Sequence, residues 1–540
     1  MNLKKYISEL KRRNIFKAGI AYVVIAWVIT QVAAIVLPTF SVESDKMKLL
    51  LLVIIIGFPI WLIFAWTYRI TPAGIKKNKR NDQDLIEYPQ TDSLIVNDAT
   101  ASNSITSEQI DTTKKSIAVL PFSNMSADKE QDYFCAGIAE DILCDLTNLE
   151  GIYAVARSSS FAFKDKNLDI REVGKILGVN TVVEGSVRKD GNKLRITAQI
   201  INVADGFRLW SERYDRELED VFAIQNEIAK NIVQVLKLEL TNKEKNTLEK
   251  VKTQSVQAYD YYIRGRDYFH QAHKDKILPS MEMFKKAIQK DENYALAYTG
   301  LADSYSLNYM YYDKNKENLK QALEASQKAL DLDPELAEAH SSRGYALAQN
   351  DQFEEAAKEF EIAIQLNPKY FDAYYDYGRI CRKKGEHERA AELFEKALQV
   401  EPENYQAAHF LSDAYADLNM KKEMLQTNQR ALKIFRNHID LNPDDARALY
   451  LGAGSLIKAD EPEEALLWVK KAVSIKPDEP AVLYNATCTF TLLGKVDEAL
   501  DYFEKAIEAG FASLEWINSD SDLNAIRDHP RFQSILEKLN

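Results

Sequence analysis

Two uncharged apolar runs stand near the start of the chain. Residues 18–37 read AGIAYVVIAWVITQVAAIVL, with a single amide, Gln31. Residues 49–66 read LLLLVIIIGFPIWLIFAW. At roughly 1.5 Å per helical residue, each is long enough to cross a hydrocarbon core of about 30 Å. Trp66 and Tyr68 close the second run, where aromatic belts form, and Gly57–Pro59 is a kink that a bilayer tolerates. The pattern predicts a membrane module over residues 1–71 with spans at about 18–37 and 49–68. A cleaved signal peptide fits less well: the first run is long, a second follows at once, and no small-residue cleavage site stands near Leu37.

From residue 72 to 114 the periodicity lapses into a polar segment, read as a flexible tether. It resumes at Lys115. Residues 116–122 make an apolar run of strand length. Residues 131–149 place Phe134, Ile138, Ile142 and Leu146 on one helical stripe. A second strand (152–158), a short Asp-capped helix (169–179) and three strands separated by Asp-Gly turns follow. A helix over about 221–240 closes a βαβαβββα unit spanning 115–241.

Several segments of this unit resemble a known family. They are SIAVLPF (116–122), YFCAGIAEDI (133–142), Arg157-Ser158-Ser159-Ser160-Phe161, Glu184-Gly185-Ser186-Val187-Arg188 and LWSERYD (209–215). Together they resemble the TolB-like amino-terminal domain that precedes tetratricopeptide repeats in many bacterial membrane proteins. Residues 9–27, ELKRRNIFKAGIAYVVIAW, are similar to the membrane module of that group. Some relatives carry a class III nucleotide cyclase or a winged-helix domain ahead of this unit; none is expected here, because the apolar runs begin at residue 18. The resemblance implies an architecture more than an activity.

Beyond residue 257 the pattern becomes periodic. Pro334, Pro368 and Pro402 are 34 residues apart, as are Pro443 and Pro477 after an insertion of seven. Small residues recur ten positions after each proline (Gly344, Gly378, Ser412, Ala453, Thr487) and again at Ala356, Ala390, Ala465 and Ala499. A third set is Ala363, Ala397, Ala431, Ala472 and Ala506. Phe360, Phe394, Val469 and Phe503 fill the positions between, with Asn428 the exception and Met424 in a small position. Small residues let helix backbones approach while the large ones fill the adjacent groove. The 34-residue period resembles the tetratricopeptide repeat. Two earlier copies, one with an insertion near 311–317, make seven over 257–512. Residues 513–540 are expected to cap the last apolar face. The weak copy around Met424 and Asn428 predicts a bend or loosened joint. The expected fold is thus multidomain: a two-helix transmembrane hairpin, a small α/β domain and an all-α solenoid.

By analogy with the family, positions 2, 5, 9, 12 and 13 of each repeat line the solenoid's inner groove. In the copy starting at Phe371 these are Asp372, Tyr375, Arg379, Arg382 and Lys383. Tyr345, Tyr375, Arg379, Arg382 and Lys383 form a candidate patch for an acidic or carboxylate-bearing peptide.

Charge and composition narrow the rest. The net charge of −12 argues against a nucleic-acid partner. Cys135, Cys144, Cys381 and Cys488 form no CxxC pair and suit a reducing compartment. Lys4, Lys5, Lys11, Arg12, Arg13 and Lys17 precede the first run, and Arg69, Lys76, Lys77, Lys79 and Arg80 follow the second. The connector holds only Lys46 and Lys48 beside Glu43 and Asp45, so both tails are expected in the cytoplasm of a bacterial inner-membrane protein.

No constellation for catalysis stands out, and no cofactor or metal is expected. His270 and His273 are read as a solvated helix face, as are Asp141 and Asp145. Asp520-x-Asp522-x-Asn524 starts like a calcium loop but lacks its glycine and closing glutamate. Gly452-Ala453-Gly454 follows no strand and is no phosphate loop. The expectation is a non-enzymatic, membrane-anchored scaffold in bacterial signalling whose partner is an unidentified protein or peptide. A periplasmic envelope-assembly factor and a small-molecule sensor acting through the α/β domain are the alternatives. The oligomeric state stays open.

Overall fold

The computed structural model describes residues 68–71, 74–77 and 115–540, apart from 165, 167, 272, 512, 513, 538 and 540. The two apolar runs lie outside the described residues, as does most of the tether. Among the described residues no helix is long and apolar enough to cross a membrane. Residues 1–104 and 105–540 are separate compact units. In the first, β1 (Tyr68–Thr71) pairs antiparallel with β2 (Gly74–Lys77), a hairpin at the boundary of the expected module and tether.

In the second unit, β3 (Lys115–Val119) pairs in parallel with β5 (Ile152–Ala154) and with β6 (Thr181–Asp190). The strands β6, β7 (Lys193–Asn202) and β8 (Arg208–Glu217) form an antiparallel meander, and β4 (Ser123–Asn124) adds to β6. Side chains alternate across this sheet as strand geometry requires. Ile117, Val119 and Val183 join the core beneath the helices Asp132–Thr147 and Val221–Val235. Ala118 and Val182 face the other way, with Val155, Val179 and Val203. The stripe Phe134, Ile138, Ile142 and Leu146 is fully buried.

Several boundaries differ from the sequence reading. The first strand stops at Val119, before Pro121, which has no amide hydrogen for a ladder. The second stops at Ala154, and Arg157–Phe161 is a short helix. The closing helix ends at Val235, where Lys237 turns the chain with φ 50°, and a further helix, Asn242–Glu249, follows. Thr241 and Glu244 cap that helix reciprocally, the S/T-x-x-E signal at an N-terminus.

Seven antiparallel helix pairs follow. In the order helix A then helix B they are Val256–His270 and Lys274–Lys290, Ala295–Tyr311 and Lys316–Leu332, Ala337–Gln349 and Phe353–Leu366, and Phe371–Lys383 and His387–Val400. The last three are Tyr405–Asp417 and Lys421–Leu441, Ala446–Lys458 and Pro462–Ile475, and Pro480–Leu492 and Val496–Glu508. Within the fourth pair, Gly378 lets the Phe394 ring approach so closely that a Cβ there would lie 2.9 Å from it. The short helices Leu514–Ser519 and Pro530–Glu537 close the end, with Phe532 stacked on Phe503 at 4.5 Å.

At the fifth pair, helix B runs 21 residues where those of the third, fourth and sixth pairs run 14. The seven-residue insertion is therefore about two extra helical turns, not a loop. Asn428 is buried and donates to the Ser455 carbonyl at 2.9 Å, and Phe435, fully buried, packs against Tyr405 at 5.2 Å. The Asn428 Oδ1 is buried without a hydrogen-bond partner, and Leu425, Asn428, Gln429, Leu432 and Arg436 line a cavity there, so the junction is filled at Phe435 and open beside Asn428.

The sheet domain is seated along the turns that link successive pairs. Lys252 meets Asp145 at 3.1 Å, Lys250 meets Asp333 at 2.6 Å, and Asn367 donates to Asn148 at 2.8 Å. Lys369 donates to the carbonyls of Leu149 and, at 3.3 Å, Ile152. Asp141 is not on a solvated face: it is buried and takes Arg266 at 2.9 Å, Tyr259 at 2.5 Å and Gln225 at 3.1 Å. Its neighbour Glu140, also buried, meets Arg157 at 3.0 Å and His270 at 2.9 Å. Burial opposes ionisation of Glu140, but Arg266, His270 and Arg157 outweigh it and hold the carboxyl well below its ordinary range. His273 lies beyond the end of His270's helix and meets Asp275, so the two imidazoles do not form a pair.

Candidate partner-binding groove

The structure brings together three of the five candidate residues. Arg379, on helix A of the fourth pair, lies 5.5 Å from the Tyr375 ring centroid and 6.0 Å from that of Phe410, distances that suit cation–π contact. Its Nη1 is 3.3 Å from Asp376. Tyr375 is buried and donates to Gln406 at 2.9 Å. Tyr345, half-buried on the preceding pair, points its hydroxyl at the Met310 sulfur, 2.8 Å away. Burial raises the Tyr345 hydroxyl above its ordinary value, against the opposing pull of Arg379.

The other two stand apart. Arg382 pairs with Asp417 at 2.6 Å and with Asp413 at 3.2 Å, so its charge is already met within the chain. Asp413 also takes Lys458. Burial opposes the ionisation of Asp413, but Lys458, His409 and Arg382 overcome it and hold the carboxyl below its usual range. His409, buried above this network, is pushed down to about 4 and is therefore neutral at pH 7. Lys383 is exposed and lies 6.0 Å from the Phe353 ring centroid, on the side of the third pair.

Two groove residues escaped the sequence reading. Helix A of the second pair has 17 residues, against 13 in pairs three to seven, and the extra turn carries Met310 and Tyr311. Burial raises the Tyr311 hydroxyl, yet Arg379 and Arg447 outweigh that and bring it below its ordinary value. Arg447, on the sixth pair, donates to the Tyr375 hydroxyl across 3.4 Å, and its Nε is buried with no hydrogen-bond partner. Tyr312, next in the chain, interacts with Glu479 of the seventh pair. The solenoid therefore curls far enough for Arg447 of the sixth pair to reach the fourth, and for Tyr312 to reach Glu479 at the start of the seventh. The signals existed: the insertion near 311–317, and Arg447 as the second residue of its helix, a position assigned to the groove.

Carboxylates line another part of this surface. Burial pushes Asp303 up to about 7, with Asp376 and Glu338 adding like charge and Ser342 opposing. Burial likewise takes Glu401 up to about 7, against its hydrogen bond from Asn404. Among the described residues one group has metal-ligand spacing: Cys488, Asp520 and Asp522, with ligand atoms within 4.8 Å. Asp520 already accepts from Tyr484 at 2.7 Å and from the Cys488 thiol at 3.6 Å, and caps the turn at Asp522. Its role there is to seat the capping segment on the last pair.

A tetratricopeptide repeat family profile matches residues 314–369, 343–409 and 426–480. The chain carries tetratricopeptide repeats. It is also 40% identical over 245 residues to a protein named Putative adenylate cyclase 3 from Rhizobium meliloti (strain 1021), covering 45% of this chain and 42% of that one. The chain thus spans less than half the length of that curated relative. Among solved structures, YrrB, described as a TPR protein with an unusual peptide-binding site, is 26% identical, covering 35% of this chain and 93% of its own with a TM-score of 0.24. PilF of Pseudomonas aeruginosa is 21% identical, covering 42% and 96% with a TM-score of 0.29. The tetratricopeptide repeats support a protein-interaction scaffold, related to proteins linked with cyclases.

Proposed function

We propose that this chain is a membrane-anchored adaptor of bacterial signalling, which holds a protein partner on its tetratricopeptide surface and acts by binding rather than by catalysis. The observation that carries the reading is the groove itself. Tyr345, Tyr375 and Arg379 from two successive repeats converge with Arg447 from a third, a mixture of aromatic surface and charge suited to peptide recognition. The signalling role rests on the relative whose name is an adenylate cyclase. The anchor rests on the apolar runs at 18–37 and 49–66 and on the lysine and arginine that flank them. The hairpin would hold the chain at the inner membrane, the tether would give reach, and the sheet domain would brace the repeats.

A carboxy-terminal fusion in the native host tests placement. A fluorescent protein active there supports a cytoplasmic solenoid, whereas an active alkaline phosphatase fusion rules it out. Crosslinking in intact membranes, followed by affinity purification of the full chain, tests the adaptor role. Recovery of one protein with the intact chain, lost with a groove variant, supports the reading; an unchanged set of adducts overturns it.

A further inference from the structure

The fifth helix pair departs from its neighbours at one position of helix B. Phe360, Phe394 and Phe503 stand there in the third, fourth and seventh pairs, each fully buried, whereas the fifth carries Asn428. An amide fills less space than a phenyl ring. Beside it lies a cavity of about 390 Å³, a volume within the range of small-ligand sites. One wall is a stripe of helix B, Leu425, Asn428, Leu432 and Arg436, spaced three or four residues apart and so on one helical face. The other wall is the turn of the sixth pair, residues 458–461.

The polar groups of this cavity are unequally satisfied. Asn428 Nδ2 donates to the Ser455 carbonyl at 2.9 Å, which fixes the orientation of the amide. Its Oδ1 is thereby left buried without a donor, and an enclosed acceptor in that state is costly. The cations of the lining already face carboxylates. Arg436 lies 2.6 Å from Glu461 and 2.8 Å from Glu464, and Lys458 pairs with Asp413. Asp460, exposed at the rim, has no ion-pair or side-chain hydrogen-bond partner among the described residues. An unmet acceptor and an unpaired carboxylate call for a cation that can donate, and Leu425 and Leu432 call for an apolar stem behind it.

We propose that this cavity binds a primary ammonium carried on a short apolar stem, which donates to Asn428 Oδ1, faces Asp460 and lays its methylenes on Leu425 and Leu432. A lysine side chain of a docked protein and a free alkylamine share this chemistry. The site is built on a helix B and a turn rather than on the helix A residues of the partner groove, so it stands apart from the reading of that groove.

The test titrates n-butylammonium, n-butanol and Nα-acetyl-lysine amide into the full chain in detergent micelles, read by saturation-transfer NMR against protein-free micelles. Butylammonium is expected to bind about tenfold more tightly than butanol, because its hydrogen bond is charge-assisted and the alcohol's is not. Asp460→Asn is expected to weaken butylammonium about threefold, as the loss of an exposed charge pair does, with no change in melting temperature. Asparagine suits that turn: Asn419 adopts φ 58° where Asp460 adopts φ 62°. Asn428→Phe, which puts back the ring of the other pairs, is expected to raise the melting temperature and abolish amine binding. Equal binding of butanol and butylammonium, or unchanged amine binding in Asn428→Phe, overturns the site. Should Asn428→Phe fail to fold, Asp460→Asn decides: unchanged affinity overturns the site, and the threefold loss supports it. Binding of the lysine amide together with butylammonium assigns the site to a protein side chain. Binding of butylammonium alone assigns it to a free amine, and binding of neither overturns it.

Discussion

Arg266, on the first repeat, lies 2.9 Å from Asp141 of the sheet domain, and its other terminal nitrogen lies 3.3 Å from Glu140. Both carboxylates are buried, so this arginine neutralises two charges that water does not reach. Removing one partner of such a group leaves uncompensated charge and costs about 3 kcal/mol or more. Arg266→Met is therefore expected to loosen the sheet domain from the solenoid. Differential scanning calorimetry of the full chain checks it: the substitution should lower the main transition and split off an earlier one, and a single unshifted transition contradicts the account.

Gly378 tests the packing between helices of one repeat. A methyl group there would sit 2.9 Å from the fully buried Phe394 ring. Overpacking of this kind costs typically about 1–3 kcal/mol, so Gly378→Ala should lower the denaturation midpoint in urea. Ala453 already occupies the equivalent position of the sixth pair, and Ala453→Gly should cost about 1 kcal/mol, the penalty of glycine within a helix, and so lower the midpoint less.

The groove carboxylates make stability depend on pH. Asp303 has an ordinary value of 3.8 and about 7 in the fold, so the folded chain holds a proton that the unfolded chain has released. Its contribution is fully present below about pH 4 and is lost as pH rises toward 7. Asp303→Asn removes that dependence. Its melting temperature relative to wild type is expected to rise steadily between pH 4 and pH 8; a constant difference would contradict the shift.

His409 has the opposite sign. Its value falls from 6.5 to about 4, so the fold loses stability as pH drops through that window, where the unfolded chain takes up the proton first. His409→Gln should flatten the acid side of the stability curve between pH 6.5 and 4, measured by thermal unfolding at a series of pH values.

The solenoid was legible because its signal is local and repeated. Gly344 with Phe360, and Gly378 with Phe394, are pairs spaced within one hairpin, and the same spacing recurs down the chain. The sheet domain was legible in order but not in boundaries. Leu120 continues an apolar run past the strand's end, and Lys237 adopts a left-handed backbone with no glycine to announce it. The groove was legible only in part. Arg382 looked available because its partners, Asp413 and Asp417, stand on the next repeat. Arg447 and Tyr375 could not be joined from sequence, since only the curvature of the solenoid brings the sixth pair against the fourth. Asp141 looked solvated because nothing in its own helix reveals that Arg266, over a hundred residues later, covers it.

The central claim is that the groove is where a partner protein is held. Its most direct test is site-specific photocrosslinking in living cells, with benzoylphenylalanine placed at Tyr345 in the groove or at the exposed Glu355 on a helix B. The account predicts a discrete protein adduct from position 345, lost on Arg447→Gln, and none from position 355. Adducts of equal yield from both positions, or none from position 345 in a well-expressed chain, would contradict it.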